Sequence, residues 1–361
     1  MGVSLLTTEA TATYTYRATD AIPLYALKSR KAQKQHGFRA NSTYGHCIKD
    51  EVLIDPCCGS GAFLVRAMTD AMDDCDTDFE RRHVKEHQIY GIEYEEGAFG
   101  LSSTNMLIHG DGNSNVVKDS MFNRGDWIRN KNIDIVLMNP PYNATKNQCD
   151  PTYVRKWNSK KKASDPSKGF HYVEWVARQI STNAKGGDVP THCRMAVLLP
   201  MQCAIGNSTA VKDFKKKMLS HYTLDAVFSL PTEVFYPGAS AVACCMIFDL
   251  SQKHERADRD TFFGYFKNDA FIKRKGVGRV ETTDESGKSN WEGIEREWLW
   301  LYRNRCSKPG LSITHKVGWD DEWLAEAYMQ TDYSTLSISD FQQTVNDYVA
   351  YLVQEGKIYE D

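Results

Sequence analysis

The chain has 361 residues, of which 41% are hydrophobic and 25% charged, with 44 Lys and Arg against 47 Asp and Glu and a formal net charge of −3. This length supports one large domain with appendages, and the acidic balance excludes a protein that grips nucleic acid by bulk electrostatics, so any basic surface must be local. With no apolar run long enough for a bilayer and Met1 to Leu6 too short for a secretory core, a cytoplasmic protein with no membrane contact is expected.

In chain order, Val52-Leu53-Ile54-Asp55 reads as a short strand, Pro56-Cys57-Cys58-Gly59-Ser60-Gly61 as a turn, and Ala62 to Met68 as the start of a helix spanning about 61–72. Strand, glycine turn and helix form the first half of a nucleotide-binding crevice. The third glycine of the dinucleotide fingerprint is absent and no Lys-Ser/Thr follows Gly61, so a ligand without phosphates suits the turn better. The acidic stretch Asp73-Asp74-Cys75-Asp76-Thr77-Asp78 reads as a solvated loop, and His83 and His87 as a solvent-facing pair. A second strand, His87 to Ile92, leads to Glu93, a carboxylate able to accept both hydroxyls of a ribose. A third, Asn115 to Lys118, ends at Asp119-Ser120. Asp119 is placed to accept from the amino group of an adenine ring, and Asp111 competes for that role.

The apolar run Ile133 to Met138 reads as a buried parallel strand, and Asn139-Pro140-Pro141-Tyr142 follows at its carboxyl end, where open α/β sheets keep their active sites. An exocyclic or amide nitrogen is a poor nucleophile because its lone pair is delocalised. The Asn oxygen and a Pro-fixed carbonyl can each accept one of its N–H groups and free that pair. Proline has no N–H, so only acceptors point inward. The tyrosine offers a flat face for a planar base or amide. The competing account is a plain turn, since Asn-Pro favours turns.

The stretch Ala144 to Gly169 carries Lys146, Arg155, Lys156, Lys160, Lys161, Lys162 and Lys168 with Tyr153 and Trp157 interleaved, and is a candidate for nucleic-acid contact or a solvated loop. Lys267 to Arg279 is a second basic candidate. A helix is predicted over Phe170–Thr182, a strand over Met195–Leu199, a helix over Ser208–Ser220 and strands near 224–229 and 242–249. Such alternation predicts a doubly wound, mostly parallel α/β sheet. Beyond Glu281 to Ser289, a polar linker, Trp291 to Tyr302 reads as an aromatic helix. Helical spacing recurs at Trp323, Leu324, Ala327 and Tyr328, then at Phe341, Val345, Tyr348 and Leu352. The ten cysteines include no C-x-x-C, and the neighbours Cys57-Cys58 and Cys244-Cys245 suit neither a disulfide nor zinc, so reduced thiols and no metal are expected.

Taken together, Asp55-Pro56-x-Cys58-Gly59-Ser60-Gly61-Ala62-Phe63, the Gly91-x-Glu93 strand, Asp119-Ser120 and Asn139-Pro140-Pro141-Tyr142 resemble the amino-methylating DNA methyltransferases that make N6-methyladenine. Within them the chain is most similar to the modification subunits of type I restriction-modification systems. Arg194 to Pro200, Leu224 to Pro231 and Val234-Phe235-Tyr236-Pro237-Gly238 extend the likeness, which covers about 50 to 280. It implies a seven-stranded sheet of the S-adenosylmethionine-dependent methyltransferase type with an antiparallel pair at its edge. It also implies S-adenosylmethionine as cofactor, with its methionine end over Asp55, Pro56, Cys58, Gly59, Gly61 and Phe63, ribose on Glu93, and adenine near Ile92 and Asp119. Asn139 and Pro140 would hold the target amino group, with Pro141 completing the turn. Tyr142 would stack on a flipped adenine, and Phe235 is the candidate for the opposing face, with packed core as its competing account. The family's Thr-Pro lid is matched only by Tyr16-Arg17-Ala18-Thr19-Asp20, which lacks the proline. The expected organisation is an N-terminal segment at 1–48, a catalytic domain at 49–280 and a linker with a small helical C-terminal region at 281–361, which offers a subunit-docking surface. No segment is large enough for target recognition, so DNA and a separate specificity subunit are the expected partners, in a homo- or hetero-oligomer. Methylation of a protein glutamine amide or of RNA, or a non-catalytic cofactor- or DNA-binding subunit, are the alternatives.

Overall fold

The structure, a computed structural model, describes residues 51–110, 115–157, 164–206, 208–236, 241–334 and 336–355. The N-terminal segment with Tyr16 to Asp20, Asp111, Lys160 to Lys162 and Pro237-Gly238 lie outside them.

Strands β1 (Leu53–Asp55), β2 (Ile89–Glu93), β3 (Val116–Lys118), β4 (Ile135–Met138), β5 (Arg194–Pro200), β6 (Thr223–Ser229), β7 (Ala243–Asp249) and β8 (Thr261–Tyr265) share one sheet. Strands β9 (Phe271–Arg274) and β10 (Gly278–Glu281) form a separate hairpin, and β11 (Ser312–His315) returns to the sheet. The order across the sheet is β3-β2-β1-β4-β5-β7-β6-β8-β11. All neighbours from β3 to β5 run parallel. Strand β7 is antiparallel to both β5 and β6.

The α/β class and winding are as predicted, but the sheet has nine strands, and the antiparallel β6–β7 pair lies inside it rather than at its edge. Strand β8 joins β6 in parallel and β11 joins β8 antiparallel. Phe262 and Phe263 drive this extension: successive strand residues point to opposite faces, and both rings are fully buried, one in each core. The same alternation organises β4, with Ile135 and Leu137 in one core and Val136 and Met138 in the other. A strand buried on both faces reads as an unbroken apolar run, which is why this one is visible in the sequence.

The helices are α1 (Ala62–Asp73), α2 (Asp78–His87), α3 (Glu96–Ile108), α4 (Gly125–Arg129), α5 (Pro151–Lys156), α6 (Phe170–Ser181), α7 (Met201–Ile205), α8 (Thr209–His221), α9 (Asn290–Asn304) and α10 (Ile338–Gln354). The acidic stretch at 73–78 contains a short, mostly exposed connection at 74–77 between α1 and α2, with Cys75 buried within it. Thr77 accepts from the Glu80 amide and Glu80 accepts from the Thr77 amide in a capping box, and Asp78 and Glu80 favour the helix start. Helix α3 escapes sequence reading because it buries only Ser102 and Met106 and has two glycines.

The sheet runs on past residue 280, where the sequence suggested the end of the catalytic domain. Trp291, Trp298, Leu299, Leu301 and Tyr302 of α9 enter the core. Asp225, at an irregularity in β6, accepts from Arg194, Arg259, Arg305 and the Tyr302 hydroxyl, which staples α9 to the sheet. The helix expected around Trp323 is instead an extended strap with a short 3-10 turn at Ala325–Ala327. Its tertiary contacts override the helical spacing. The Trp323 amide donates to the Ala204 carbonyl at 3.0 Å, and the buried Lys215 ammonium lies 4.4 Å from the Trp323 ring.

Candidate active site

Parallel pairing brings the carboxyl ends of β1, β2, β3 and β4 to one sheet edge, and with them Asp55, Glu93, Asp119 and Asn139. The glycine turn is tied to β2 at two points. The Cys58 amide donates to the Ile92 carbonyl at 3.1 Å, and the Gly59 amide donates to Glu93 Oε2 at 2.8 Å. Glu93 Oε1 also accepts from the Glu95 amide at 2.7 Å, so the carboxylate is fixed in orientation. Gly59 has φ 55° and nothing within 4 Å of where a Cβ would stand, which leaves the turn open on that side.

Asp55 is buried and accepts from the Cys57 amide at 3.0 Å. Burial pushes its carboxyl up to about 8; the Cys57 hydrogen bond opposes this and the nearby Glu93 carboxylate adds to it. Two neighbouring carboxylates beneath an open glycine favour a cationic ligand that also carries hydroxyl donors. Pro56, Cys58, Phe63 and Ile92 are buried and shape the turn from below, while Gly59, Ser60 and Glu93 are its accessible part.

Asp119 has more partners than its sequence setting suggests. Its amide donates to the Glu93 carbonyl at 3.0 Å. Its carboxylate accepts from the Ser120 amide at 2.7 Å, from Asn123 at 2.9 Å and from Arg124 Nε at 2.6 Å. Partial burial raises this carboxyl, but the bonds from Asn123 and Arg124 outweigh it and hold it below the usual range.

At the end of β4, Asn139 is exposed, and neither its side chain nor the Pro140 carbonyl is engaged by a described residue. Pro140 is buried. The Tyr142 hydroxyl is buried without a hydrogen-bond partner beside Cys203, Cys244 and Cys245, and burial pushes the phenol well up. Its ring meets Phe235 edge to face, with centroids 6.4 Å apart and planes at 68°. The structure therefore brings Phe235 to Tyr142, half-buried against the core, but the two rings do not stand as parallel faces.

The basic stretch divides. Trp157 is buried and Tyr153 stacks on His171 at 4.3 Å, so these aromatics are committed to packing, while Lys146, Arg155 and Lys156 are exposed. In the second basic segment Arg279 is buried against Asp269 at 2.6 Å and Lys267 pairs with Glu326 at 2.8 Å. Arg274 and Lys275 stay exposed, and Lys273 binds Glu233 at 3.2 Å and covers the Tyr236 ring at 4.3 Å, next to Phe235.

Sequence reasoning missed the support beneath the Asn139–Tyr142 turn. Asp165 is fully buried and accepts from the Ser167 amide and hydroxyl, the Gly169 amide, the Tyr153 hydroxyl and His171 Nδ1, at 2.8 to 3.3 Å. Its own amide donates to the Ala144 carbonyl at 2.9 Å. Gly169 has φ 92°, and a Cβ there would stand 3.1 Å from Pro140 Cγ and 3.4 Å from the Pro141 carbonyl. The visible signal was Asp165-Pro166-Ser167, a turn-forming triplet within the basic stretch.

A β3-β2-β1-β4-β5-β7-β6 core with one reversed strand, a glycine turn after β1 and a carboxylate ending β2 defines the methyltransferase type of α/β fold. The family model for N-6 DNA methylases matches residues 44–279, and the chain belongs to that family. It is 29% identical over 317 residues to the type II restriction enzyme and methyltransferase RM.BcgI of Heyndrickxia coagulans, covering 86% of this chain and 45% of that protein. It is 25% identical over 189 residues to the EcoEI methylase subunit, a type I restriction enzyme component of Escherichia coli, covering 52% of this chain and 35% of that one. The chain thus spans less than half the length of either curated relative. Among solved structures, a methyltransferase subunit of a type I restriction-modification system from Streptococcus thermophilus superposes with a TM-score of 0.53 at 19% identity, covering 85% of this chain and 58% of that one. Among the described residues no helix is long and apolar enough to cross a membrane.

Proposed function

We propose that this chain methylates the N6 amino group of an adenine flipped out of DNA, using S-adenosylmethionine. The observation that carries this reading is the pair of unengaged acceptors at Asn139 and Pro140, on the strand adjacent to the Asp55 carboxylate and the open Gly59 turn. S-adenosylmethionine, when bound, supplies a methyl group on a positively charged sulfur. The residues fit it: Asp55 and the Gly59 turn suit its cationic methionine end and Glu93 its ribose hydroxyls, with Asp119 beside its adenine, while Ile92, expected at the adenine, is fully buried and supports the turn from below. Asn139 Oδ1 and the Pro140 carbonyl accept the two N–H groups of the target amine, which draws the nitrogen out of conjugation and aims its lone pair. Tyr142 holds the base by its ring face, and Phe235 turns from its edge-on position to cover the other side. No covalent intermediate with the protein is required, so the rate rests on positioning and on this acceptor pair.

Exposed Lys146, Arg155, Lys156, Arg274 and Lys275 suit phosphate contacts around the site. Choice of sequence is assigned to a separate specificity subunit. Helix α10 is its docking surface in this reading: none of its residues is buried, and Phe341, Val345 and Tyr348 are 54%, 55% and 61% exposed along one face.

Tritiated S-adenosylmethionine offered with duplex DNA, RNA and a glutamine-bearing release-factor protein, with and without a co-purified partner, tests the assignment. Label in DNA adenine that falls on the order of 10²-fold or more in Asn139→Ala supports it. Label confined to RNA or protein refutes it.

A further inference from the structure

Lys168 occupies an unfavourable position for a lysine. Its φ is 57°, in the left-handed region where a Cβ crowds the backbone, and the next residue, Gly169, is left-handed as well. The helix dipole of α6, which starts at Phe170, also opposes a cation there. Of the other described non-glycine residues with positive φ, Arg305 recovers the strain through its guanidinium bond to Asp225, Asn132 is a residue type that tolerates it, and Ala270, with its small side chain, is held by its amide hydrogen bond to Asn268 and by the Thr282 amide and hydroxyl donating to its carbonyl. Lys168 has no comparable internal return. The described contact of its ammonium is Asn143 Oδ1 at 3.1 Å on the exposed surface, and no described carboxylate pairs with it.

The backbone around Lys168 is held in this shape from below. Asp165 accepts from Ser167 and Gly169 on either side of it, and Gly169 rests on the Pro140 ring. Glycine or asparagine would meet the backbone requirement with less strain, so a lysine here is best explained by its side chain. That side chain reaches Asn143, the residue after Tyr142, where the ammonium stands beside the turn assigned to the target base.

We propose that Lys168 binds a phosphate of the nucleotide whose base enters the Asn139–Tyr142 turn, exchanging Asn143 for a phosphate oxygen. This deepens the function proposed above and rests on it. The ligand class is the phosphodiester of a DNA strand, and the contact positions the flipped nucleotide without reading its sequence.

The full chain, with any co-purified partner, is compared with Lys168→Gly, Lys168→Ala and Lys168→Arg on duplex DNA. The readouts are kcat and KM for DNA across a salt series, binding of S-adenosylmethionine by calorimetry, and thermal midpoint. Lys168→Gly is expected to keep or raise the thermal midpoint, leave S-adenosylmethionine binding unchanged and raise KM for DNA about tenfold, as for loss of one charge-assisted bond. Its slope of log kcat/KM against log salt should flatten by about 0.9, the signature of one phosphate contact. Lys168→Arg should restore most of both. A purely structural lysine predicts the reverse pattern, with a lowered midpoint and an unchanged salt slope. If the wild type labels DNA and Lys168→Gly retains its KM and slope, the Lys168 proposal fails alone. If the wild type labels no DNA, the methyltransferase reading fails and this proposal with it.

Discussion

Replacing Asp165 by Asn changes one buried atom and should disturb the whole support under the Asn139–Tyr142 turn. Burial raises this carboxyl, but donors from His171, Gly169 and Tyr153 outweigh that and hold it at about 2, against an ordinary 3.8. At 1.36 kcal/mol per pKa unit the difference is worth about 2 kcal/mol. Counting bonds gives a similar size. An Asn amide placed where Oδ2 stands faces the Gly169 amide at 2.8 Å and the His171 ring nitrogen at 3.3 Å, so donors oppose donors. An unsatisfied buried group costs about 1 to 3 kcal/mol, so Asp165→Asn should destabilise the protein by about 2 to 4 kcal/mol at pH 7.

Because this pKa is depressed by folding, the stabilisation is fully present above the ordinary carboxylate range and lost as pH falls through about 2. The gap between wild type and variant should be flat from pH 7 to 5 and shrink by roughly half at pH 3. Urea unfolding at several pH values, extrapolated linearly, measures it. The same variant should lower kcat about tenfold, since Gly169 then holds Pro140 less firmly. A gap under about 1 kcal/mol at pH 7, or one undiminished at pH 3, would refute the assignment of Asp165 as an ionised hub.

Asp55 should couple cofactor binding to pH in the opposite sense. Its pKa is raised by folding, so its contribution to stability is present below 3.8 and lost as pH rises through about 8, and at neutral pH the carboxyl is protonated. A cationic ligand draws it back to the carboxylate, so affinity for S-adenosylmethionine should rise from pH 6 to 8, approaching tenfold per unit, with proton release visible by calorimetry in buffers of different ionisation heat. Binding without proton release would contradict this account of the carboxylate pair. On α10, Phe341→Asp with Tyr348→Asp should change stability by no more than about 0.5 kcal/mol, because both rings are more than half exposed. The same pair should abolish co-purification of a partner subunit, and an intact complex would place the docking surface elsewhere.

The parts legible in the sequence are those whose physics is local. An apolar run buried on both faces announces β1 and β4, and a glycine turn between strand and helix announces the crevice. The Asn139-Pro140-Pro141-Tyr142 string advertises its acceptors because proline removes a donor wherever it stands. From the alternation of such runs the doubly wound sheet follows. Tertiary structure decided the rest, because it depends on contacts between residues far apart in the chain. Strand β8 becomes a sheet member only when β6 and β11 flank it, and Trp323 abandons helical spacing once Ala204 and Lys215 offer it a buried seat. Tyr153 and Trp157 look like nucleic-acid contacts in a basic stretch, yet Tyr153 stacks on His171, half-buried, and Trp157 is buried against Tyr153. Asp165 reads as one more polar loop residue until folding removes water from it. Burial then makes each of its donors count, and a turn residue becomes the support beneath the candidate site.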